Sequence, residues 1–293
     1  MNIAVFGASG HLGQEVVSQL LAKFATAKIY AFTRAPHDAP YSHPQIKWLH
    51  LDLSAPWQVQ TEMELFGSEF FDEIYYLAAD LNLDMGELRP EIQWNLNWIS
   101  PLIISMVFPF TPGIYMSTAS VLGDTEKPRN DRLYSAFANT YIKSKSFGEE
   151  ALVDNWTVVR SDFVSFRGGL VRYWYNEFLL DAHPFGYTNV YFNPVSTKFL
   201  ASTLIGLVKG FHGLVHVAGE WEMSKFDLLQ LVSLLVRSEL GEHTISLAEY
   251  IHNMGARRTK DNTIIPSYGL RQSALEFKAD LIESCEHVHE KWS

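Results

Sequence analysis

Tyr141 and Lys145 stand four residues apart in the segment TYIKSK, which spans residues 140–145. On a helix, residues at this spacing share a face, so a phenol and an ammonium group would project together. The reference pKa of a tyrosine is near 10, and a neighbouring positive charge lowers it by favouring the phenolate. Such a tyrosine can donate or accept a proton while a hydride moves. Spacing alone does not establish this chemistry, because the same pair is expected about once in every two chains of this composition.

A hydroxyl that could orient a substrate oxygen is available upstream, in YMSTASVLGD at residues 115–124. Thr118 would lie at the carboxyl end of a predicted central strand, where parallel α/β folds place their chemistry. Ser117 and Ser120 are alternatives, since a strand end read from sequence is defined only to within a residue or two. The candidate constellation is therefore Tyr141, Lys145 and one of three hydroxyls.

The elements that would hold these side chains alternate between strand and helix. The predicted strands are Asn2–Gly7, Lys28–Thr33, Ile46–Leu53, Glu73–Ala79, Gly113–Ser117 and Trp156–Val164. The predicted helices between them are His11–Phe24, Gln58–Phe66, Glu87–Val107 and Ala138–Val153. This alternation predicts an α/β fold with a doubly wound parallel sheet of the Rossmann type, which binds ligands at the carboxyl ends of its strands.

Three glycines follow the first predicted strand in the segment GASGHLG. Glycine at this spacing permits a tight turn, and the helix that follows offers free N–H groups and a positive dipole end to a pyrophosphate. The turn therefore predicts a dinucleotide cofactor. Its predicted cofactor-binding residues are Gly7, Ser9, Gly10, His11, Leu12 and Gly13.

The segment YAFTRA, residues 30–35, ends the second predicted strand, where this fold distinguishes NAD from NADP. An acid at this point holds the ribose 2′-hydroxyl of NAD, whereas NADP needs a cation for its extra phosphate. Thr33 and Arg34 occupy the position, and Asp38 lies beyond the strand end in a Pro-flanked loop. An arginine fork suits a phosphate, so we predict NADP, with NAD as the alternative.

The rhythm of strand and helix becomes irregular after Val164. We predict a cofactor-binding domain at residues 1–164, to which residues 190–219 return, and a small C-terminal substrate-binding cap formed by residues 165–189 and 220–293. Residues 193–210 and 214–219 look like a further helix and strand. Without a linker-like stretch, the two parts are expected to pack as one body.

Composition excludes several classes of function. The formal net charge of −10 over 293 residues argues against a nucleic-acid or anionic-membrane partner, since both require a basic face. Apolar runs are too short for a membrane span, and the start has no secretion signal, so a cytoplasmic location is expected. The single Cys285 is expected to be a free structural thiol. None of the eleven histidines has convincing ligand spacing, so no metal site is predicted.

Taken together, these motifs resemble the extended short-chain dehydrogenases/reductases, which include NAD-dependent epimerases and dehydratases, and most closely the dTDP-4-dehydrorhamnose reductase group. The resemblance covers nearly the whole chain. Its motifs are GASGHLG, LDLS, YLAA, NLNWISP, STASVLGD, YIKSKSFGEE, NPVSTKFLA, LVHVAG and RRTKDNTIIPSYGLR.

The resemblance assigns roles to individual residues. It implies that Tyr141 is the general acid/base and also contacts the cofactor, that Lys145 lowers its pKa and holds the nicotinamide ribose, and that Thr118 is the orienting hydroxyl. Thr118 matches by its offset before Gly123. Asn97 matches an asparagine of the family's proton-relay water chain. The residues that would border the adenosine and ribose are Asp52, Leu53, Leu77, Ala78 and Ala79.

The reaction follows from the same resemblance. Dehydratases of the family carry an acidic pair after the hydroxyl residue, whereas this chain has Ala119 and Ser120. An NADPH-dependent reduction of a keto group on a sugar or nucleotide-sugar is therefore expected. The alternatives are an epimerase that retains its cofactor and a non-catalytic subunit that senses NADP(H).

Substrate contacts are expected from arginines of the cap, because a guanidinium binds a diphosphate through two hydrogen bonds. The candidates are Arg167, Arg172, Arg257 and Arg258. Trp174 and Tyr175 could offer aromatic faces, although packing is the more frequent role at helical spacing. A homodimer is expected through the helices Glu87–Val107 and Ala138–Val153, where this family commonly dimerises.

Overall fold

The structure is a computed structural model of the chain. It describes residues 1–36, 40, 42–80, 83–122, 139–180, 182, 184–240, 248–250, 264–267 and 270–290.

Fifteen strands and ten α-helices are found in these residues. The strands are β1 Asn2–Phe6, β2 Lys28–Thr33, β3 Ile46–His50, β4 Glu73–Tyr76, β5 Gly113–Met116, β6 Trp156–Arg160, β7 Phe163–Val164, β8 Phe185–Tyr187, β9 Tyr191–Phe192, β10 Val195–Ser196, β11 Gly213–His216, β12 Ala218–Gly219, β13 Met223–Ser224, β14 Ala248–Tyr250 and β15 Arg271–Gln272. The helices are α1 His11–Lys23, α2 Pro56–Glu64, α3 Leu83–Leu88, α4 Pro90–Trp94, α5 Ser100–Val107, α6 Thr140–Ala151, α7 Gly169–Leu179, α8 Thr197–Leu207, α9 Lys225–Leu240 and α10 Ala274–Glu290.

Seven strands form the main sheet in the spatial order β3-β2-β1-β4-β5-β6-β11. The neighbouring pairs from β3 through to β6 are parallel. Every residue of β4, β5 and β6 is buried, as expected for parallel strands that are covered on both faces. The predicted doubly wound parallel sheet is confirmed.

The direction in which strands are added reverses between β1 and β4. From β1 the chain adds β2 and β3 on one side, and it then adds β4, β5 and β6 on the other. Loops that leave neighbouring strands in opposite directions open a crevice at the carboxyl ends of those strands. The turn after β1 and the segment after β4 therefore border the same crevice.

The predicted single helix Glu87–Val107 is wrong. The structure divides this region into α3, α4, a π-helical turn at Asn95–Ile99, and α5. Pro90 is the first residue of α4 and Pro101 is the second residue of α5, because a residue without an N–H group is tolerated in a first turn and not in a helix interior. The periodicity of apolar residues continues through these breaks, which is why the segment resembles one helix.

Two tyrosine hydroxyls complete the π-helical turn. Ser100 donates its N–H to the Asn95 carbonyl, five residues back, and so leaves the Leu96 carbonyl without its usual helical donor. Pro101 has no N–H to give to the Asn97 carbonyl. Tyr76 of β4 donates its hydroxyl to the Leu96 carbonyl at 2.5 Å, and Tyr115 of β5 donates its hydroxyl to the Asn97 carbonyl at 2.6 Å.

Contacts between residues divide the chain into two compact units. The described residues of Met1–Val121, Ala136–Arg160 and Ala201–Val215 form the first unit, and those of Leu122–Ser135, Ser161–Leu200 and His216–Ser293 form the second. The first contains almost all of the main sheet. Its apolar core is rich in aromatic rings, among them Phe6 and Phe32, which stack with centroids 4.6 Å apart.

The second unit has its own core beneath α7, α9 and α10. Four two-stranded pairs accompany these helices, namely β7 with β10, β8 with β14, β9 with β13, and β12 with β15. The aromatic-rich stretch after Val164, which sequence reasoning treated as irregular, contains the eleven-residue helix α7. The predicted strand Trp156–Val164 ends at Arg160 and resumes as β7.

Across the described ranges, no helix has both the length and the apolar character that a bilayer crossing requires. The predicted assignment of the two parts to cofactor and substrate stays a prediction.

Candidate active site

The turn between β1 and α1 depends on glycine at two positions. Gly7 has a φ of +81°, and a Cβ added there would lie 2.7 Å from the Ala78 nitrogen. A Cβ on Gly13 would lie 2.2 Å from the Gly7 carbonyl oxygen. A larger residue at either position would push the turn away from β4 or from the start of α1. These glycines bring the backbone of the turn against the end of β4.

The N-terminus of α1 points its free backbone groups into this turn. Gly10 is the N-cap residue, and among the described residues no side chain caps this thirteen-residue helix. Burial lowers the pKa of His11, the first helical residue, to about 4, so its imidazole is neutral at pH 7. The positive potential of the turn therefore comes from the helix N–H groups, which suits a pyrophosphate.

A cavity of about 310 Å³ opens at the carboxyl ends of the central strands of the first unit. Its lining includes ten of the predicted cofactor-binding residues: Gly7, Ser9, Gly10, Thr33, Arg34, Asp52, Leu53, Leu77, Ala78 and Ala79. It also includes six that sequence reasoning missed: Phe32, Leu51, Ser54, Asp80, Ile92 and Leu96. Four of the six directly neighbour predicted residues in the sequence, whereas Ile92 and Leu96 reach the cavity through the broken helix region.

Three of the predicted residues at the start of α1, His11, Leu12 and Gly13, do not line the cavity. Leu12 and Gly13 are buried in the first turns of α1. Their contribution to a ligand would come from the backbone of the turn rather than from a side chain. Tyr141 and Lys145, which were also predicted to contact the cofactor, do not line the cavity.

Polar side chains from the end of β2 and from the segment after β3 border the cavity. Ser9 and Thr33 share a hydrogen bond between their hydroxyls at 2.9 Å. Arg34 is exposed where it lines the cavity. The Asp52 carboxylate is hydrogen-bonded to a sequence neighbour, because its Oδ1 accepts from the Ser54 nitrogen at 2.9 Å and from the Ser54 hydroxyl at 2.7 Å.

These features together fit a dinucleotide. The turn has room for no side chain at Gly7 or Gly13. The N-terminus of α1 has no side-chain cap and suits phosphates. Apolar groups from β2, β4 and the helix region offer a surface for a base.

Lys145 is buried in the first unit, with 1% of its surface exposed. Its Nζ donates to the main-chain oxygen of Met116, the last residue of β5, at 2.8 Å and lies 4.7 Å from the centre of the Tyr115 ring. Burial lowers the pKa of Lys145 to about 7, and the negative charge of Glu149 acts in the opposite direction. The lysine therefore connects α6 to the carboxyl end of β5.

The first turn of α6 holds Tyr141, which is half-buried. Asn139 caps this helix by accepting from the Ile142 nitrogen at 2.9 Å. Glu87 of α3 accepts from the Thr140 nitrogen at 2.6 Å. Two side chains from different parts of the chain thus fix the turn that carries Tyr141, and sequence reasoning identified neither.

The three candidate hydroxyls have different surroundings. The Ser117 hydroxyl donates to Glu149 Oε1 at 2.5 Å and is therefore already engaged in a hydrogen bond inside the protein. Thr118 lies two residues after the end of β5, and its Oγ1 accepts from the Ser120 nitrogen at 3.2 Å. Thr118 stays the predicted orienting hydroxyl, in keeping with the family pattern.

Asn97 is fully buried in the π-helical turn. Its Nδ2 donates to Gln93 Oε1 at 2.8 Å and to Ser144 Oγ at 3.0 Å, and Ser144 in turn donates to the Tyr141 carbonyl at 2.9 Å. Within the described residues, Asn97 Oδ1 has no hydrogen-bond partner. The side chain thus connects the π-helical turn to the first turn of α6, while a role in a water chain stays a prediction.

The predicted substrate-binding arginines lie in the second unit or outside the described residues. The Arg172 guanidinium lies 5.3 Å from the centre of the Tyr175 ring, and the Arg167 nitrogen donates to Ser165 Oγ at 3.0 Å. Trp174 and Tyr175 are each 1% exposed, so they pack in the core of this unit. Arg257 and Arg258 lie outside the described residues, as does Gly123.

Fold and site define a dinucleotide-binding α/β protein with a Tyr-Lys pair beside the end of a central strand. A model of the NAD dependent epimerase/dehydratase family matches residues 3–171, more than half of the chain. The chain belongs to this family and is an NAD(P)-dependent oxidoreductase of the extended short-chain dehydrogenase/reductase type. The family predicted from the motifs is confirmed.

Solved structures similar to this one cover nearly the whole chain. The dTDP-4-dehydrorhamnose reductase of Bacillus anthracis in complex with NADP is 18% identical, with a TM-score of 0.76 over 98% of this chain and 99% of that one. The dTDP-glucose 4,6-dehydratase of Bacillus anthracis in complex with NAD is 14% identical, with a TM-score of 0.77 over 100% of this chain and 98% of that one.

A third similar structure is the UDP-N-acetylglucosamine 4-epimerase of Methanobrevibacter ruminantium in complex with UDP-N-acetylmuramic acid. It is 16% identical, with a TM-score of 0.82 over 99% of this chain and 98% of that one. Among curated protein sequences, none matches this chain significantly. At such identities the structural likeness establishes the fold alone.

Proposed function

We propose that this protein is an NADPH-dependent reductase of a keto group on a sugar or nucleotide-sugar. The observation that carries the proposal is the position of Lys145. It reaches from the helix that bears Tyr141 to the last residue of β5, two residues before Thr118. This contact supports the proposal, because it joins the helix that bears Tyr141 and Lys145 to the carboxyl end of β5, at the end of the sheet where the cavity opens.

The residues that would hold the cofactor are those of the β1–α1 turn and of the cavity described above. When bound, the nicotinamide supplies a hydride to the keto carbon. Arg34 is the group we assign to the 2′-phosphate, because a guanidinium at the end of β2 offers paired donors to that phosphate.

Three side chains of the protein carry out the proton transfer to the keto oxygen. The Thr118 hydroxyl donates a hydrogen bond to the keto oxygen and so orients it. The Tyr141 hydroxyl then transfers its proton to that oxygen as the alcohol forms. The Lys145 ammonium stabilises the phenolate that remains on Tyr141.

Dehydration is not proposed for this site. The family's dehydratases carry an acidic pair after the hydroxyl residue, and here those positions hold Ala119, which is 1% exposed, and Ser120. Neither side chain can remove a proton from carbon and protonate a leaving hydroxyl. Homodimerisation and a cytoplasmic location stay predictions.

The test is NADPH oxidation at 340 nm against a panel of keto sugars and nucleotide-linked keto sugars. With a substrate found, Tyr141→Phe should lower kcat by about 10²- to 10⁴-fold, because a general acid contributes roughly that much. The affinity for NADPH should stay largely intact. The matched control is Tyr30→Phe, which removes a hydroxyl from the aromatic cluster of Phe66, Phe70 and Phe71 and should leave turnover intact.

Three other results of this experiment would each favour a different interpretation. Normal turnover by Tyr141→Phe would refute the acid role. Interconversion of sugar epimers without net NADPH oxidation would identify an epimerase with retained cofactor. Tight NADP(H) binding without turnover of any substrate would favour a regulatory subunit.

A further inference from the structure

Glu149 belongs to a buried polar cluster, one helical turn after Lys145 on α6. Its carboxylate accepts two hydrogen bonds from Arg160 of β6, at 2.9 Å from Nε and 2.6 Å from Nη2. The Ser117 hydroxyl donates to the same carboxylate at 2.5 Å. The side chains of Arg160 and Glu149 are 0% and 5% exposed. Sequence reasoning did not single out either residue.

The cluster adjoins Lys145 along two routes. Lys145 and Glu149 are four residues apart on α6 and so share a helix face. Lys145 also donates to the Met116 carbonyl, which belongs to the same peptide group as the nitrogen of Ser117. The peptide between Met116 and Ser117 at the end of β5 therefore links the two groups. Its carbonyl accepts from Lys145, and the Ser117 hydroxyl that follows it donates to Glu149.

We propose that Glu149 is a positioning residue that holds Lys145 in place as a charged ammonium. Arg160 and Ser117 anchor the carboxylate, and the anchored carboxylate keeps a negative charge beside a buried cation. The proposal extends the proposed function, because the ammonium form of Lys145 is the one that stabilises a Tyr141 phenolate.

The charge balance around Lys145 supports this role. Glu149 from its own helix and the Tyr115 ring from β5 act directly on Lys145. Tyr141 from α6 and Tyr76 from β4 are the neighbours of Tyr115, and Arg160 from β6 is the partner of Glu149. Burial raises the pKa of Tyr115 and of Tyr76 well above the usual range, so both hydroxyls stay protonated. Among these groups Glu149 supplies the carboxylate, and burial alone drives Lys145 toward the neutral amine.

The direct test is an NMR titration of lysine labelled with 13C at Cε, in the full chain without substrate. The Lys145 signal is assigned by its loss in Lys145→Met. Glu149→Gln should lower the Lys145 pKa by about one unit or more, the size expected for an opposite charge within about 4–6 Å. Glu150→Gln is the matched control, since it makes the same change at the exposed neighbouring position and should leave the titration unchanged.

Glu149→Gln leaves the buried Arg160 guanidinium without its carboxylate partner, which is expected to destabilise the fold. Two further variants therefore test the proposal independently of whether Glu149→Gln folds. The double variant Glu149→Gln/Arg160→Gln removes both charges, and it should also lower the Lys145 pKa. Ser117→Ala deletes only one anchor of the carboxylate, and we expect a smaller shift in the same direction. A Lys145 pKa equal to that of the unaltered protein in whichever of these variants folds would overturn the proposal.

The readout separates this proposal from the proposed function. If no keto sugar is reduced, the titration still reports the charge of Lys145. If reduction is found, the upper limb of the pH profile of kcat/KM should move to lower pH in the folded variant by the shift that NMR records. Loss of activity with an unchanged profile would indicate a purely structural role for Glu149.

Discussion

At Lys145, burial and charge act in opposite directions. A surface lysine titrates near 10.5, and the environment between α6 and β5 lowers the pKa of Lys145 to about 7. Near neutral pH the folded protein therefore contains both the ammonium and the amine form. The role that we propose for Lys145 requires the ammonium form, so the pH at which Lys145 loses its proton lies close to neutral pH.

The depressed pKa predicts how stability changes with pH. Between about pH 7 and 10.5 the unfolded chain binds a proton at Lys145 that the folded chain does not, so the free energy of unfolding rises with pH in this window. Relative to Lys145→Met, the unaltered protein should gain about 2 kcal/mol between pH 7 and 9. Urea unfolding at both pH values measures this difference.

Lys143→Met serves as the control for this experiment, since Lys143 is exposed on the same helix. It should follow the pH dependence of the unaltered protein. An identical pH slope for Lys145→Met and the unaltered protein would show that Lys145 titrates normally in the folded state.

Arg34 predicts the cofactor preference. Removing the guanidinium in Arg34→Ala should weaken NADP binding by about 10- to 100-fold, because hydrogen bonds to charged groups contribute about 1.5–3 kcal/mol. NAD lacks the 2′-phosphate, so its Kd should not change. Fluorescence titration with both cofactors measures the two constants, and Arg89→Ala, at an exposed arginine, should change neither. Equal weakening for NADP and NAD would assign Arg34 no role in selectivity.

At the scale of elements, α6 and the π-helical turn pack with almost no space between their backbones. A Cβ on Gly148 would lie 2.1 Å from the Asn97 oxygen and 2.4 Å from the Tyr115 hydroxyl. The close contact is possible because Pro101 and the π-helical hydrogen bonding turn carbonyls toward the tyrosines of β4 and β5. The position of the Tyr-Lys helix therefore depends on an irregularity in its neighbour.

Gly148→Ala should separate these two elements. We expect a loss of about 1–3 kcal/mol in the free energy of unfolding, the usual cost of overpacking, together with weaker cofactor binding. Gly206→Ala is the matched control in α8, since a Cβ there meets nothing within 4 Å in the described part of the chain. That variant should gain up to about 1 kcal/mol from helix propensity. Equal effects of the two alanines in urea unfolding would contradict the close packing.

At the scale of the whole molecule, each of the two units has its own core. Cys285 is 2% exposed in α10 and packs in the core of the second unit with Phe277 and Leu281. Its thiol should react with a thiol reagent at least about tenfold more slowly in the native protein than in urea, because reaction requires local opening. Quenching the labelling reaction at successive times and measuring the labelled fraction by mass spectrometry gives both rates. Rapid native labelling would show that the second unit opens readily.

Local sequence was sufficient for most of the main sheet. The predicted strand Lys28–Thr33 has the observed bounds, and the other strands of the sheet end within a few residues of their predicted limits. Buried parallel strands are continuous apolar runs, which makes them visible without knowledge of their neighbours. The helices of the second unit were harder to see, because turn signals and aromatic residues interrupt their periodicity.

By itself, the sequence determined the fold class, the family and the glycine turn, because each depends on residue types at short spacing. Tertiary structure alone decided which side chains surround Lys145. Tyr115 lies on β5, Ser117 directly after it, Arg160 on β6 and Glu149 on α6, and only the assembled sheet brings them together. A lysine's charge depends on its burial and on charges a few ångströms away, and those distances exist only after folding.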